Sequence, residues 1–231
     1  MLSRWWRHWR QQRQHQRTER ILQRRAIPDA LWLETLARYP FLKHRPLQDL
    51  QRLRALCALF LDQKEFTAVG GLQLDDEIAL AVAAQACVPV LQLGLDWYDG
   101  FVGIVLHPDQ VVAQRSWQDE HGIVHDGEEE RAGEARPGGP VMLSWADVQL
   151  GHGQDETLPG YNVVIHEFAH VLDLRNGEAD GVPPLPDRAA RQHWQAVITP
   201  QLEALQQAVE AGQDTWLDPY AAQGPDEFFA V

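Results

Sequence analysis

The sequence predicts an α+β fold in which helices pack around a small mixed sheet and one buried helix carries His166-Glu167-Phe168-Ala169-His170. Three observations predict it. Stretches with helical apolar periodicity lie on both sides of a central region of short β-like runs. Those runs are broken by Gly, Pro or Asp, as strands of a small sheet are. The HExxH segment itself sits in a run too apolar for a solvated face. With 231 residues, 45% of them hydrophobic, the chain is long enough to bury one sizeable core.

Taken in order, residues 1–25 differ in composition from everything after them. Eight Arg stand against one Glu, a formal +7, which leaves −20 for the remainder of a chain whose total is −13. Arg4, Arg7 and Arg10 alternate with Trp5, Trp6 and Trp9, and Arg13, Arg17, Arg20, Arg24 and Arg25 continue the series. We read 1–25 as a basic N-terminal arm and 26–231 as the folded domain. The arm is expected to be a solvated basic helix on the acidic body or a disordered segment, capable of weak contact with an anionic surface. The acidic body argues against a direct nucleic-acid role.

Pro40 and Pro46 bracket the start of the packed part. Leu47, Leu50, Leu53, Cys57, Phe60 and Leu61 trace an amphipathic helix, and the Ala-rich stretch after Asp75-Asp76 traces a second that ends before Pro89. Residues 88–95, 101–106, 111–117, 122–125 and 140–143 read as strands, and 126–139, with its Glu128-Glu129-Glu130 run, as a solvated loop or hairpin tip. His107, His121, His125 and His152 lie in or beside these segments and read as surface or hydrogen-bonded histidines. A helix over 161–174 follows, with Ile165, Phe168, Ala169 and Leu172 as its core stripe and Arg175-Asn176-Gly177 as its stop. Pro183 to Pro186 form a stiff connector, and Asp187 caps a helix to about Ala211.

Two isolated cysteines, Cys57 and Cys87, indicate neither a disulfide framework nor a zinc knuckle. No run approaches the 18 or so apolar residues of a membrane span, and the first residues lack a signal-peptide core. The cytoplasm is the expected compartment.

The chemistry concentrates in HExxH. Four residues are about one helical turn, so His166 and His170 project from the same face and can grip one ion, while Glu167, turned by about 100°, can reach a water on that ion. Such a site needs a third protein ligand. The extended HExxHxxGxxH form requires Gly at 173 and His at 176, and Asp173 and Asn176 exclude it. Glu178, Asp180, His193, Glu203, Glu210, Asp218, Asp226 and Glu227 all qualify by type, and spacing does not choose among them. Asp173, seven residues after His166 but about 10 Å further along the axis, suits an anchoring role rather than ligation.

The segments VPVLQLGLDWYDGF at 88–101, VMLSWADV at 141–148, VIHEFAHVLDLRNG at 164–177 and DPYAAQGPDEFFAV at 218–231 together resemble those of the Mlc titration factor A family. The blocks run in that family's order from about residue 40 onward. The resemblance implies a zincin-like metallopeptidase domain related to the catalytic domain of anthrax lethal factor. It implies Zn2+ held by His166, His170 and Glu227, with Glu167 as general base and Tyr220 as oxyanion stabiliser. A peptide or protein is the implied substrate, with aminopeptidase as the candidate specificity. The family's namesake sequesters a transcriptional repressor of the glucose phosphotransferase system. An Mlc-like repressor is therefore an implied partner, and a non-catalytic, repressor-binding protein is the alternative reading. Gly224-Pro225 suits a helix entry, which puts Asp226 and Glu227 in the first turn near the positive end of the helix dipole. Members of the family continue beyond the FFAV segment, whereas this sequence stops at Val231: either it is truncated there or this member is short, and in both cases a last helix ending four residues after Glu227 is expected to be prone to fray.

Overall fold

The computed structural model describes residues 2–109, 111–118, 124–131, 133–135, 138–150 and 162–231. These form two compact units, Met1–Glu65 with Asp75–Leu95, and Phe66–Leu74 with Asp96–Val231. Among the described residues no helix is long and apolar enough to cross a membrane.

The first unit is helical: α1 (Leu2–Arg24), α2 (Asp29–Arg38), α3 (Pro40–Lys43), α4 (Leu47–Gln63) and α5 (Asp76–Ala86). Leu53, Cys57 and Phe60 recur at i, i+4 and i+7 on α4 and are fully buried, the spacing of a core-facing stripe. Asp75 starts α5 by accepting the Ile78 amide at 2.8 Å, and from Leu80 to Ala86 every side chain is buried. Cys57 and Cys87 are both buried, and burial, with the Cys57 thiol beside it, pushes the Cys87 thiol well up. Residues 2–24 are helical. Ile21, near the end of α1, is buried, and Arg24 and Arg25 reach Asp62 of α4 at 2.5 and 3.5 Å.

The structure corrects one element here. Residues 88–95, read as a strand, hold none: 88–93 form successive turns in which Leu91 and Leu93 amides return to the carbonyls of Val88 and Val90, and Leu95 opens a 3-10 turn. Pro89 carries no amide to offer a ladder, and Gly94 at φ 92° turns the chain away. The apolar run is still buried, through Val90 and Leu91. Burial was encoded there; the strand was not.

The second unit holds β1 (Glu65–Ala68, from its second residue), β2 (Gly103–His107), β3 (Val111–Gln118), β4 (Val124–Arg131), β5 (Gly133–Glu134) and β6 (Val141–Ser144). It also holds α6 (Trp145–Leu150), α7 (Val163–Asp173), α8 (Arg188–Glu210) and α9 (Pro225–Ala230). A four-stranded sheet has the order β1-β2-β6-β5. β2 and β6 are parallel, Ile104 opposite Val141 through His107 opposite Ser144, and β5 is antiparallel to β6 at the sheet edge. Ile104, Leu106, Val141 and Leu143 point into the core, the period-two pattern of a half-buried sheet. β3 and β4 form a separate antiparallel ribbon.

That ribbon and β5 correct a second expectation. The segment 126–139, read as a solvated loop or hairpin tip, is paired over most of its described length: β4 continues to Arg131, and Gly133 and Glu134 pair with Leu143 and Met142. An acidic run has little strand preference of its own, so pairing with β3 sets its conformation. His121 and His152 lie outside the described residues.

Asp187 opens α8 by accepting the Ala190 amide at 2.8 Å. The helix runs through Pro200, with Leu202 and Leu205 buried. Its Trp194 donates to the Gly181 carbonyl at 3.0 Å and stacks edge-on against Phe229 of α9, and Gln206 donates to the Ala222 carbonyl at 3.0 Å.

Candidate metal centre

α7 begins at Asn162, whose side chain accepts the Ile165 amide at 2.9 Å, and gives way to a short 3-10 turn that ends at Gly177 in the left-handed region, φ 96°. Its back face is fixed by Phe168, fully buried against Tyr98 and Phe101 with ring centroids 5.0 and 5.8 Å away. One position of the helix is thereby locked into an aromatic cluster. The opposite side carries His166 and Glu167, both buried, and His170 one turn on.

α9 brings Glu227 to the same place from the far end of the chain. The imidazole Nε2 atoms of His166 and His170 are 3.1 Å apart, and Glu227 Oε2 lies 3.3 Å from the first and 3.4 Å from the second. These are ion-pair distances; buried Oε2 receives no well-aligned hydrogen bond. Among the described residues this is the group of His, Cys, Asp and Glu able to converge on one ion. Of the eight residues eligible as a third ligand, Glu227 alone stands there. Asp180 instead pairs with Arg191 at 2.7 Å, and Asp218 caps the Tyr220 amide at 2.9 Å.

The donor set fits a four-coordinate cation. Corners about 2.0–2.1 Å from a tetrahedral centre are separated by about 3.3–3.4 Å, close to the three edges observed. Two imidazole nitrogens and a carboxylate oxygen facing one another in a buried space present only lone pairs unless a proton or cation lies between them.

Electrostatics follow from the crowding. Burial pushes the Glu167 carboxyl up; the two histidines pull it back, Glu227 and Glu134 push it further, and it stands at about 7. Burial acts the same way on Glu227, but His166 and His170 outweigh it and bring that carboxyl down to about 2. His170 is raised: burial opposes its charge, and Glu227 more than compensates.

Tyr220 lies on a 3-10 turn, Pro219–Gln223, and is 37% exposed; its hydroxyl donates to Glu227 Oε1 at 3.3 Å. It therefore borders the triangle with its polar end. Asp173 is fully buried below the site and accepts the Gly181 amide. A cavity of about 430 Å³ opens further along α7, lined by Val171, Leu174 and Arg175 with Trp97, Phe101 and Val141. The Arg175 guanidinium covers the Trp97 ring at 5.4 Å.

Two residues beside the site carry no sequence signal. Gly133 lies against Glu167, and Gly181 lies against the start of α9. Each is an isolated glycine in a polar stretch, which reads as loop.

An α+β unit with two histidines a turn apart, a carboxylate closing the triangle and a buried acid beside it is a metal-site domain of metallopeptidase type. Residues 6–231 match the family described as glucose-regulated metallo-peptidase M90, and the chain belongs to that family. It is 36% identical over 206 residues to Mlc titration factor A of Salmonella arizonae, covering 88% of this chain and 80% of that protein. To the proteins of the same name from Serratia proteamaculans and Escherichia fergusonii it is 37% and 34% identical. Those two matches cover 87% of this chain and 76% and 74% of the relatives.

Proposed function

We propose that this protein is a cytoplasmic zinc-dependent peptidase in which His166, His170 and Glu227 hold Zn2+, Glu167 is the general base and Tyr220 stabilises the oxyanion. The observation that carries the reading is the triangle of 3.1, 3.3 and 3.4 Å edges beside a buried carboxyl. Zinc, when bound, supplies Lewis acidity toward the scissile carbonyl and lowers the pKa of a water. Glu167 takes the proton of the attacking water and holds it for the leaving amine. The Tyr220 hydroxyl turns from Glu227 to the oxygen that gains charge. A substrate side chain seats in the cavity beyond Val171, whose wall of Trp97, Phe101, Val141 and Leu174, with Asp99 and Arg175 among them, favours an aliphatic or aromatic group. An aminopeptidase acting on short peptides accords with this arrangement.

The test pairs zinc content with turnover of aminoacyl chromogenic substrates. E167Q is expected to keep zinc and lose turnover, because the base goes while the ligands remain. E227A is expected to lose zinc. An E167Q protein as fast as its parent, or an E227A protein with full zinc, would sink the assignment.

The relatives' name describes titration of Mlc, which supports a second activity on the same chain: binding of an Mlc-like transcriptional repressor, linked to control of sugar uptake. E167Q separates the two readings, since repressor binding makes no use of a general base.

A further inference from the structure

Gly133 is the first residue of β5, and among the described residues β5 pairs with β6 on one side only. A glycine inside a strand weakens it and calls for a reason. The backbone supplies none. Gly133 is absent from the glycines at positive φ, so its main chain would accept an L residue.

Space supplies the reason. A Cβ built on Gly133 would lie 2.5 Å from Cγ, 2.6 Å from Oε1 and 2.7 Å from Cδ of Glu167. Carbon atoms in contact sit about 3.5–4.0 Å apart, so the two side chains cannot share this volume. Every atom named belongs to the Glu167 side chain. The contrast with Gly181 is instructive: a Cβ there meets the Pro225 carbonyl, which is main chain, and φ is 71° as well. A side chain at 181 collides with the fold. At 133 it collides with one carboxylate arm.

Glu167 is 5% exposed and its helix is pinned from behind by Phe168, so the arm rather than the backbone has to yield. We propose that Gly133 is a positioning residue: its missing side chain is the space that holds the Glu167 carboxylate in its working rotamer. The proposal rests on the reading of Glu167 as general base, and it predicts a defect in rate without a defect in metal binding. A misplacement of about 1 Å in a catalytic group costs about 100-fold.

The experiment uses the full chain loaded with zinc. G133A should lose about 100-fold in kcat on an aminoacyl chromogenic substrate, with KM within about twofold and zinc stoichiometry unchanged. A merely structural role would lower yield and zinc together and leave kcat per zinc intact. A second measurement needs no turnover: thermal midpoints of metal-free parent, G133A, E167A and G133A/E167A. The destabilisation by G133A should vanish in the E167A background, where the colliding atoms are gone. Parent kcat in G133A, or additive midpoints in the cycle, overturns the proposal. An inactive parent with strong coupling in the cycle would instead bring down the peptidase reading and leave the Gly133–Glu167 fit standing.

Discussion

The backbone amide of Gly181 donates to Oδ2 of Asp173 over 2.8 Å, tying the last residue of the histidine helix to the loop against which the glutamate helix starts. Gly181 then meets the Pro225 carbonyl closely enough to exclude a side chain, and its own carbonyl accepts from Trp194. Glu227 thus takes its place relative to His166 and His170 through a chain of short contacts that begins inside α7.

Breaking the first of these contacts should loosen Glu227, the proposed third ligand. D173A leaves the Gly181 amide buried without its acceptor, a cost of about 1–3 kcal/mol in stability. Zinc affinity should fall about 10- to 100-fold, as for other groups that orient ligands. D173N, which keeps one acceptor oxygen, should lose less. Chelator competition measures both. Unchanged zinc affinity in D173A would show that α9 holds its position without the link.

Tyr220 borders the site without being a candidate ligand, so Y220F should separate rate from metal. Zinc content should match the parent while kcat falls about 100-fold or more, the usual effect of losing an oxyanion donor. Removing the hydrogen bond to Glu227 Oε1 should cost little, because the donor it loses sits on a side chain that is 37% exposed. A Y220F protein with normal kcat would remove the tyrosine from the chemistry.

Val171 lines the cavity one residue after His170, and enlarging it should fill the cavity rather than disturb the ligands. V171F is expected to lower kcat/KM at least about tenfold, roughly 1.4 kcal/mol of barrier, for substrates with leucyl or phenylalanyl side chains. Alanyl substrates should change less than about threefold. Equal losses across the series would place the substrate side chain elsewhere.

Asp62 makes a prediction about pH. Burial pushes its carboxyl up, but Arg24 and Arg25 outweigh that and hold it below the ordinary carboxylate value. The folded pKa is lower than the unfolded one, about 3.9, so the interaction stabilises above that pH and is lost as pH falls through the folded value. D62N should therefore lower the thermal midpoint near neutral pH, and the gap from the parent should close below about pH 4. Salt at about 0.5 M should narrow it too, since both arginines are exposed. Parallel midpoint curves at every pH would show that the pair contributes nothing through charge.

Where the sequence was legible, a local rule and the packing agreed. The stripe on α7 and the Asp187 cap of α8 are of this kind, since periodicity and capping are decided within a few residues. Residues 88–95 failed the test because a short apolar run is equally at home in a strand or in buried turns. The continuation of β4 past His125 was missed because its conformation is set by β3. The two histidines were legible as a pair from spacing alone. Spacing left eight candidates beside them; the family resemblance pointed to Glu227, and among the described residues the folded chain brings Glu227 to their side. Gly133 was illegible for the same reason, since its partner is 34 positions away and nothing local marks the meeting.

Pro200 gives α8 a property that a rod would lack. It has no amide to donate to the Ala196 carbonyl, so the helix is relieved of one rung at its middle. Above that rung, Trp194 clasps Phe229 and so steers the helix bearing Glu227; below it, Gln206 clasps the turn bearing Tyr220. The two segments whose polar ends meet, the tyrosine hydroxyl and the glutamate at 3.3 Å, thus lean on one helix, one on each side of its missing rung.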